Sequence, residues 1–66
     1  MYKYEILYGY HGQPSGIYES TIGAVRADGF EAALKRVLNY YNNYIISAIK
    51  LTAIDDIVDF MDIKEI

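Results

Sequence analysis

The sequence contains no cysteine, a single histidine and a single proline. No disulfide can form, and a structural metal would find few of its usual ligands. A domain of 66 residues buries only roughly 60% of the surface that its unfolded chain exposes. We therefore expect one domain over residues 1–66, of marginal stability unless it self-associates or docks on a partner.

Long apolar runs are also missing. No segment approaches the roughly 18 to 20 apolar residues of a membrane span, and the first residues lack the features of a signal peptide. A chain without cysteine fits a reducing compartment. We expect a cytoplasmic protein with no membrane partner.

Clusters of bases are absent, and the net charge of -3 is unevenly placed. The longest run of bases is the pair Lys35 and Arg36, whereas nucleic-acid binding needs several bases that displace counterions. Acids concentrate in the tail, at Asp55, Asp56, Asp59, Asp62 and Glu65. Nucleic acid is therefore a disfavoured partner. The tail is either a solvated surface or a docking patch for a basic protein surface.

Patterns typical of catalysis are absent as well. His11 lies among turn formers with no neighbouring Ser, Cys or second His that could complete a catalytic group. The tail acids lack the spacing of a calcium loop. The glycines of residues 9–16 precede a strand, whereas phosphate loops and dinucleotide fingerprints precede a helix. We predict no catalytic residue, no metal site, no cofactor and no enzymatic activity.

Residues 2–10 alternate with a period of two, which predicts a half-buried first strand. The apolar phase is Tyr2, Tyr4, Ile6, Tyr8 and Tyr10. Turn formers at residues 11–16 then predict a hairpin loop.

Residues 17–27 predict the second strand, but their apolar side chains do not keep one phase. Tyr18 and Ile22 occupy one phase, and Val25 and Ala27 occupy the other. A single register cannot bury both sets. We therefore predict a bulge near Gly23–Ala24, because an extra residue shifts which face the following side chains occupy.

An amphipathic helix follows. Asp28 and Glu31 have the spacing of a capping box, and apolar residues recur at helical spacing along one stripe. The stripe comprises Phe30, Ala33, Leu34, Val37 and Tyr41, with Leu38 and Tyr44 beside it. Asn42–Asn43 predicts the end of the helix, since asparagine tolerates the left-handed conformation that closes helices.

Residues 44–54 are rich in β-branched side chains and predict a third strand. The fold class is then α+β, a three-stranded antiparallel sheet with one helix packed on one face, in the order β-β-α-β. We prefer pairing of the third strand with the first, which is more apolar than the second. From Asp55 onward a helical turn and a strand both fit the pattern, and we favour an irregular or partly helical tail.

Eight of the 66 residues are tyrosine. Burial of the rings with their hydroxyls at the edge of the core accounts for about half of them, because one short helix cannot cover every ring. Tyrosine is also enriched at protein contacts, so we predict an exposed tyrosine surface with acidic steering. The candidate contact residues are Tyr40, Tyr41, Tyr44, Asp55, Asp56, Asp59 and Asp62.

The segment from Val25 to Ala33, VRADGFEAA, resembles the strand-to-helix junction of small phage and plasmid proteins of the DpnD/PcfM type. In these proteins a strand ends in Ala, a cap follows, and Glu then Ala open the helix. The resemblance implies a mobile-element origin and a β-β-α-β fold, and it transfers no functional residue.

These patterns favour a non-enzymatic interaction module, encoded by a phage or mobile element, that binds a host protein and could inhibit it. Two alternatives stay open. One is a structural or regulatory homodimer with no other partner. The other is a small nucleic-acid or ligand binder.

Overall fold

The computed structural model describes residues 1–14, 16–55 and 63–66. In these residues the chain forms a small α+β fold with one helix and a four-stranded sheet. The elements are β1 (Tyr2–Gly9), β2 (Glu19–Val25), α1 (Phe30–Tyr40), β3 (Ile45–Ala53) and β4 (Lys64–Glu65). Their order across the sheet is β3-β1-β2-β4.

The sheet differs from the predicted one by a strand. Pairing of β1 with both β2 and β3 is antiparallel, as predicted. However, the two-residue β4 adds to β2 in the parallel direction, so the sheet is mixed and has four strands. The sequence prediction missed β4 because two residues are too few to show a period.

Strand β1 lies between β3 and β2. It contributes most of the buried core side chains that come from the sheet. Tyr4, Ile6 and Tyr8 are 2%, 1% and 9% exposed on the side that α1 covers. A strand with such a face is most stable with neighbours on both edges, which supports the preferred pairing of β3 with β1. That pairing is confirmed.

The bulge predicted near Gly23–Ala24 is wrong. The register of β1 and β2 runs without interruption from Tyr2–Val25 to Tyr8–Glu19. The two apolar phases of β2 face opposite sides of the sheet. Ile22 lies on the side away from α1 and is 48% exposed, whereas Val25 lies on the covered side and is fully buried. The irregularity lies in β3 instead, where the pairing with β1 shifts between Leu7 and Tyr8.

Gly23 has a different role, which is to make room for an aromatic ring. A Cβ at this position would overlap the ring of Tyr4, with Cε2 at 2.6 Å. Tyr4 is the directly opposite residue on β1. The missing side chain therefore lets the Tyr4 ring lie across β2.

The ends of α1 also differ from the prediction. The N-cap is Gly29, in extended backbone, with no side-chain hydrogen bond, so the capping box of Asp28 and Glu31 does not form. With Gly29 at the cap, Asp28 lies one residue too early to reach the orphan amides. Among the described residues only glycines have a positive φ, so Asn42–Asn43 does not adopt the left-handed closure.

The apolar stripe of the helix is confirmed at its centre. Ala33, Val37 and Tyr41 are buried in the core. Phe30 and Leu38 are 56% and 38% exposed, because the single sheet beneath α1 is too narrow to cover the whole stripe.

The described end of the chain docks beside β2. The amide of Ile66 donates to the carbonyl of Ala24 at 2.8 Å, and Arg26 Nε lies 3.4 Å from Glu65 Oε2. The proposed helical turn at Ile57, Phe60 and Met61 lies outside the described residues. No helix in the described ranges has the length and hydropathy to cross a membrane.

Candidate contact surfaces

Tyr41 joins the helix to the sheet at the centre of the core. Its hydroxyl shares a 2.8 Å hydrogen bond with the hydroxyl of Tyr4, and the two rings meet edge to face at 5.8 Å. Burial raises the pKa of Tyr41, and burial together with the hydrogen bond to Tyr41 raises the pKa of Tyr4. Tyr41 is only 6% exposed, so it offers a partner little area.

A second tyrosine cluster closes the core at the hairpin end. The ring of Tyr44 lies 4.8 Å from Tyr8 and 5.2 Å from Tyr10. Tyr10 donates to Glu19 Oε2 at 2.8 Å, and Tyr8 donates to the same oxygen at 3.3 Å. The hydrogen bond to Glu19 is the main cause that raises the pKa of Tyr10. Tyr44 is thus half-buried and held within the fold.

Tyr40 is the most exposed of the three predicted contact tyrosines, at 53%. Its ring packs on Tyr41 at 5.0 Å. It lines an open groove of about 320 Å³ with Arg36, Asn39 and Ile66. The structure therefore separates the predicted tyrosines into one surface residue and two structural residues.

The acidic part of the predicted surface is described at one position. Asp55 is exposed just after β3. The other three predicted steering residues, Asp56, Asp59 and Asp62, lie outside the described residues. Convergence of the four carboxylates therefore stays a prediction.

The side of the sheet opposite α1 presents a second surface, which we call the open face. It is formed by β1–β3 and by Tyr18, which precedes β2. Its residues are Lys3, Glu5, Leu7, Gly9, Tyr18, Ser20, Ile22, Ala24, Ile45, Ala48, Lys50 and Thr52. They share a side because residues opposite each other on neighbouring strands point the same way.

The hairpin end of the open face is apolar. A Cβ on Gly9 would lie 3.2 Å from Cδ1 of Tyr18, so the Tyr18 ring lies on the backbone of β1. Tyr18 and Ile45 are 43% and 46% exposed. They line a cavity of about 150 Å³ together with Pro14 and Ile17, and Ile17 is itself 52% exposed.

The middle of the open face combines apolar and charged side chains. A shallow cavity of about 330 Å³ is lined by Leu7, Ser20, Ala48 and the pair Glu5 and Lys50. The Lys50 ammonium lies 4.0 Å from Glu5 Oε2, and both side chains are solvated. An exposed pair of this kind contributes little stability. At the end of the open face away from the hairpin lies Ala24, which is fully buried.

Within the described ranges, no group of His, Asp and Glu side chains is arranged to hold a metal ion. His11 is exposed in the hairpin loop. The described part of the chain also contains no buried side-chain donor or acceptor without a partner.

Sequence reasoning missed three residues of the open face, namely Tyr18, Ile22 and Ile45. A signal was present for two of them, since Tyr18 and Ile22 share the phase of β2 that conflicts with Val25. Reading that conflict as a second apolar face, instead of a bulge, would have found the surface.

Comparison with known proteins gives no match. No protein-family model, curated protein or solved structure is significantly similar to this chain.

Proposed function

We propose that this chain is a non-enzymatic protein-interaction module of phage or mobile-element origin that binds a host protein through its open face. The observation that carries the proposal is the exposure of Tyr18, Ile22 and Ile45 on one side of a sheet. Large exposed apolar side chains that share one face with polar ones are typical of protein contacts.

The composition of the open face supports a protein as its partner. Tyr18 offers a rigid ring with a polar tip, which is the side-chain type enriched at binding hot spots. Glu5 and Lys50 provide charges of both signs in the middle of the face. A nucleic-acid partner would require several bases that displace counterions, and the described part of the open face carries two, Lys3 and Lys50, beside the acid Glu5. Origin in a mobile element is supported by the resemblance at Val25–Ala33.

The tyrosine and acidic surfaces predicted from sequence have a smaller part in this proposal. Tyr40 is available for contact on the helix side, and Asp55 is available for steering. Inhibition would follow if the host protein needs the surface that the open face covers.

Two matched charge substitutions test which surface binds. Ile22→Lys on the open face and Tyr40→Lys on the helix introduce the same charge at positions of 48% and 53% exposure. We expect the host protein retained by immobilised wild type to be retained by Tyr40→Lys and lost with Ile22→Lys, because the substitution at position 22 removes apolar contact area and places a charge that must be desolvated in the interface.

The opposite pattern would assign binding to the tyrosine surface and refute the open-face proposal. Thermal unfolding of both variants controls for stability, since both substitutions lie at exposed positions where small effects are expected.

A further inference from the structure

In the part of the chain that the structure describes, β3 is an edge strand of the sheet. It spans nine residues, Ile45–Ala53, and within the described residues it pairs with β1 alone. The opposite edge differs, because β4 pairs with Gly23 and Ala24 of β2. An open edge presents N–H and C=O groups that can pair with another strand.

The helix flank above this edge carries two leucines, with Glu31 on the same flank toward the start of α1. Arg36 borders Ile66 in one groove and Arg26 in another, so it lies on the β2–β4 side of α1. Leu34 and Leu38 are each two residues from Arg36 and therefore lie about 160° around the helix from it. They face the β3 side, where Leu38 is 38% exposed.

We propose that the β3 edge pairs antiparallel with β3 of a second copy of this chain, forming a two-fold dimer with one continuous sheet. The axis is perpendicular to the sheet, so both helices lie on the same side and their leucine flanks face each other across it. A bare extended peptide would add a strand but leave Leu34 and Leu38 uncovered. A second copy covers both layers.

The charges and the pleat select one register for this pairing. The regular part of β3 covers residues 48–53, beyond the bulge. Directly opposite residues must share a face, and an axis at Lys50 would place two ammonium groups against each other. An axis at Leu51 keeps residues 49–53 paired and places Lys50 opposite Thr52 of the partner subunit.

The dimer uses the edge of the sheet, whereas the proposed host-protein contact uses its open face. Failure of one does not entail failure of the other, because dimerisation is measured on the purified chain alone.

Opposite charges at Thr52 test the register. Sedimentation of the full chain from low to high micromolar concentration should show a monomer–dimer equilibrium. Thr52→Lys creates two symmetric like-charge contacts with Lys50 and should raise the dimer Kd roughly tenfold, whereas Thr52→Glu should lower it by a similar factor. Ser20→Lys and Ser20→Glu, on β2 away from the edge, should leave the Kd unchanged.

A monomer at every concentration overturns the proposal, and so does an equal response of the Kd to both charges at position 52. Thr52 also pairs with Lys3 within the chain, so the unfolding midpoint of each variant is measured. If Thr52→Lys does not fold, hydrogen exchange of the wild type decides. Amide exchange in β3 should slow with concentration in a dimer, and exchange that is independent of concentration refutes the edge pairing.

Discussion

On the side of the sheet that α1 covers, the central apolar side chains are almost completely buried, as Tyr4 at 2% and Ile6 at 1% exposure show, whereas those of β3 are partly buried. On the opposite side, Ile22 and Ile45 belong to the same sheet and remain 48% and 46% exposed. Isoleucine and tyrosine occur on both sides, and the number of layers differs. A sheet buries a face only when another element packs on it. The exposure of Ile22 and Ile45 therefore shows that no described element packs on the open face.

We expect the largest effect on the difference between the two sides from a substitution at Gly23, on the covered side. Gly23→Ala would place a methyl group against the ring of Tyr4. We expect the free energy of unfolding to fall by about 2 to 3 kcal/mol, as for other overpacked cores, measured by urea denaturation.

Gly29→Ala is the control for Gly23→Ala, because a Cβ at Gly29 has no neighbour within 4 Å. We expect it to change the stability by less than about 1 kcal/mol. Equal losses for the two variants would show that the ring of Tyr4 does not depend on Gly23.

A direct comparison of the two faces comes from one strand. Val25 of β2 is fully buried on the covered side, and Ile22 of the same strand is half-exposed on the other. Val25→Ala should cost about 2 kcal/mol through lost burial and a residual cavity. Ile22→Ala should cost less than about 1 kcal/mol although it removes more atoms. A larger loss at Ile22 in a dilute monomer would contradict the exposure of the open face.

The smallest effect concerns the hydroxyl pair at the centre of the core. Tyr41→Phe removes one partner and leaves the buried hydroxyl of Tyr4 unpaired, which should cost about 1 to 1.5 kcal/mol. Tyr40→Phe, one residue earlier and exposed, should stay within about 0.5 kcal/mol of wild type. Thermal unfolding of both variants measures the difference, and equal midpoints would mean that the hydrogen bond contributes nothing.

Local patterns predicted the types of the helix and strands well and the ends of these elements less well. The period of β1, the stripe through Ala33 and Val37, and the β-branched run of β3 all gave the correct element type, because each pattern is set by the geometry of a single segment. The capping box failed by one residue, since the backbone placed Gly29 at the cap. Caps depend on φ and ψ at one position, which composition does not specify.

The candidate surfaces were harder to predict than the fold. Tyr40 and Tyr41 are adjacent and chemically identical, and the structure exposes one and buries the other. Their separate roles follow from a rotation of about 100° around the helix axis. Only the position of the helix over β1 decides which of the two rings enters the core.

The sequence by itself determined that this chain forms strands and one amphipathic helix, because hydrophobic period and turn chemistry act within single segments. Tertiary structure alone decided that Gly23 holds space for Tyr4, that β4 joins the sheet, and that one face and one edge stay uncovered by the described residues. These features depend on contacts between residues far apart in the chain, and their free energies are fixed only when the layers pack together.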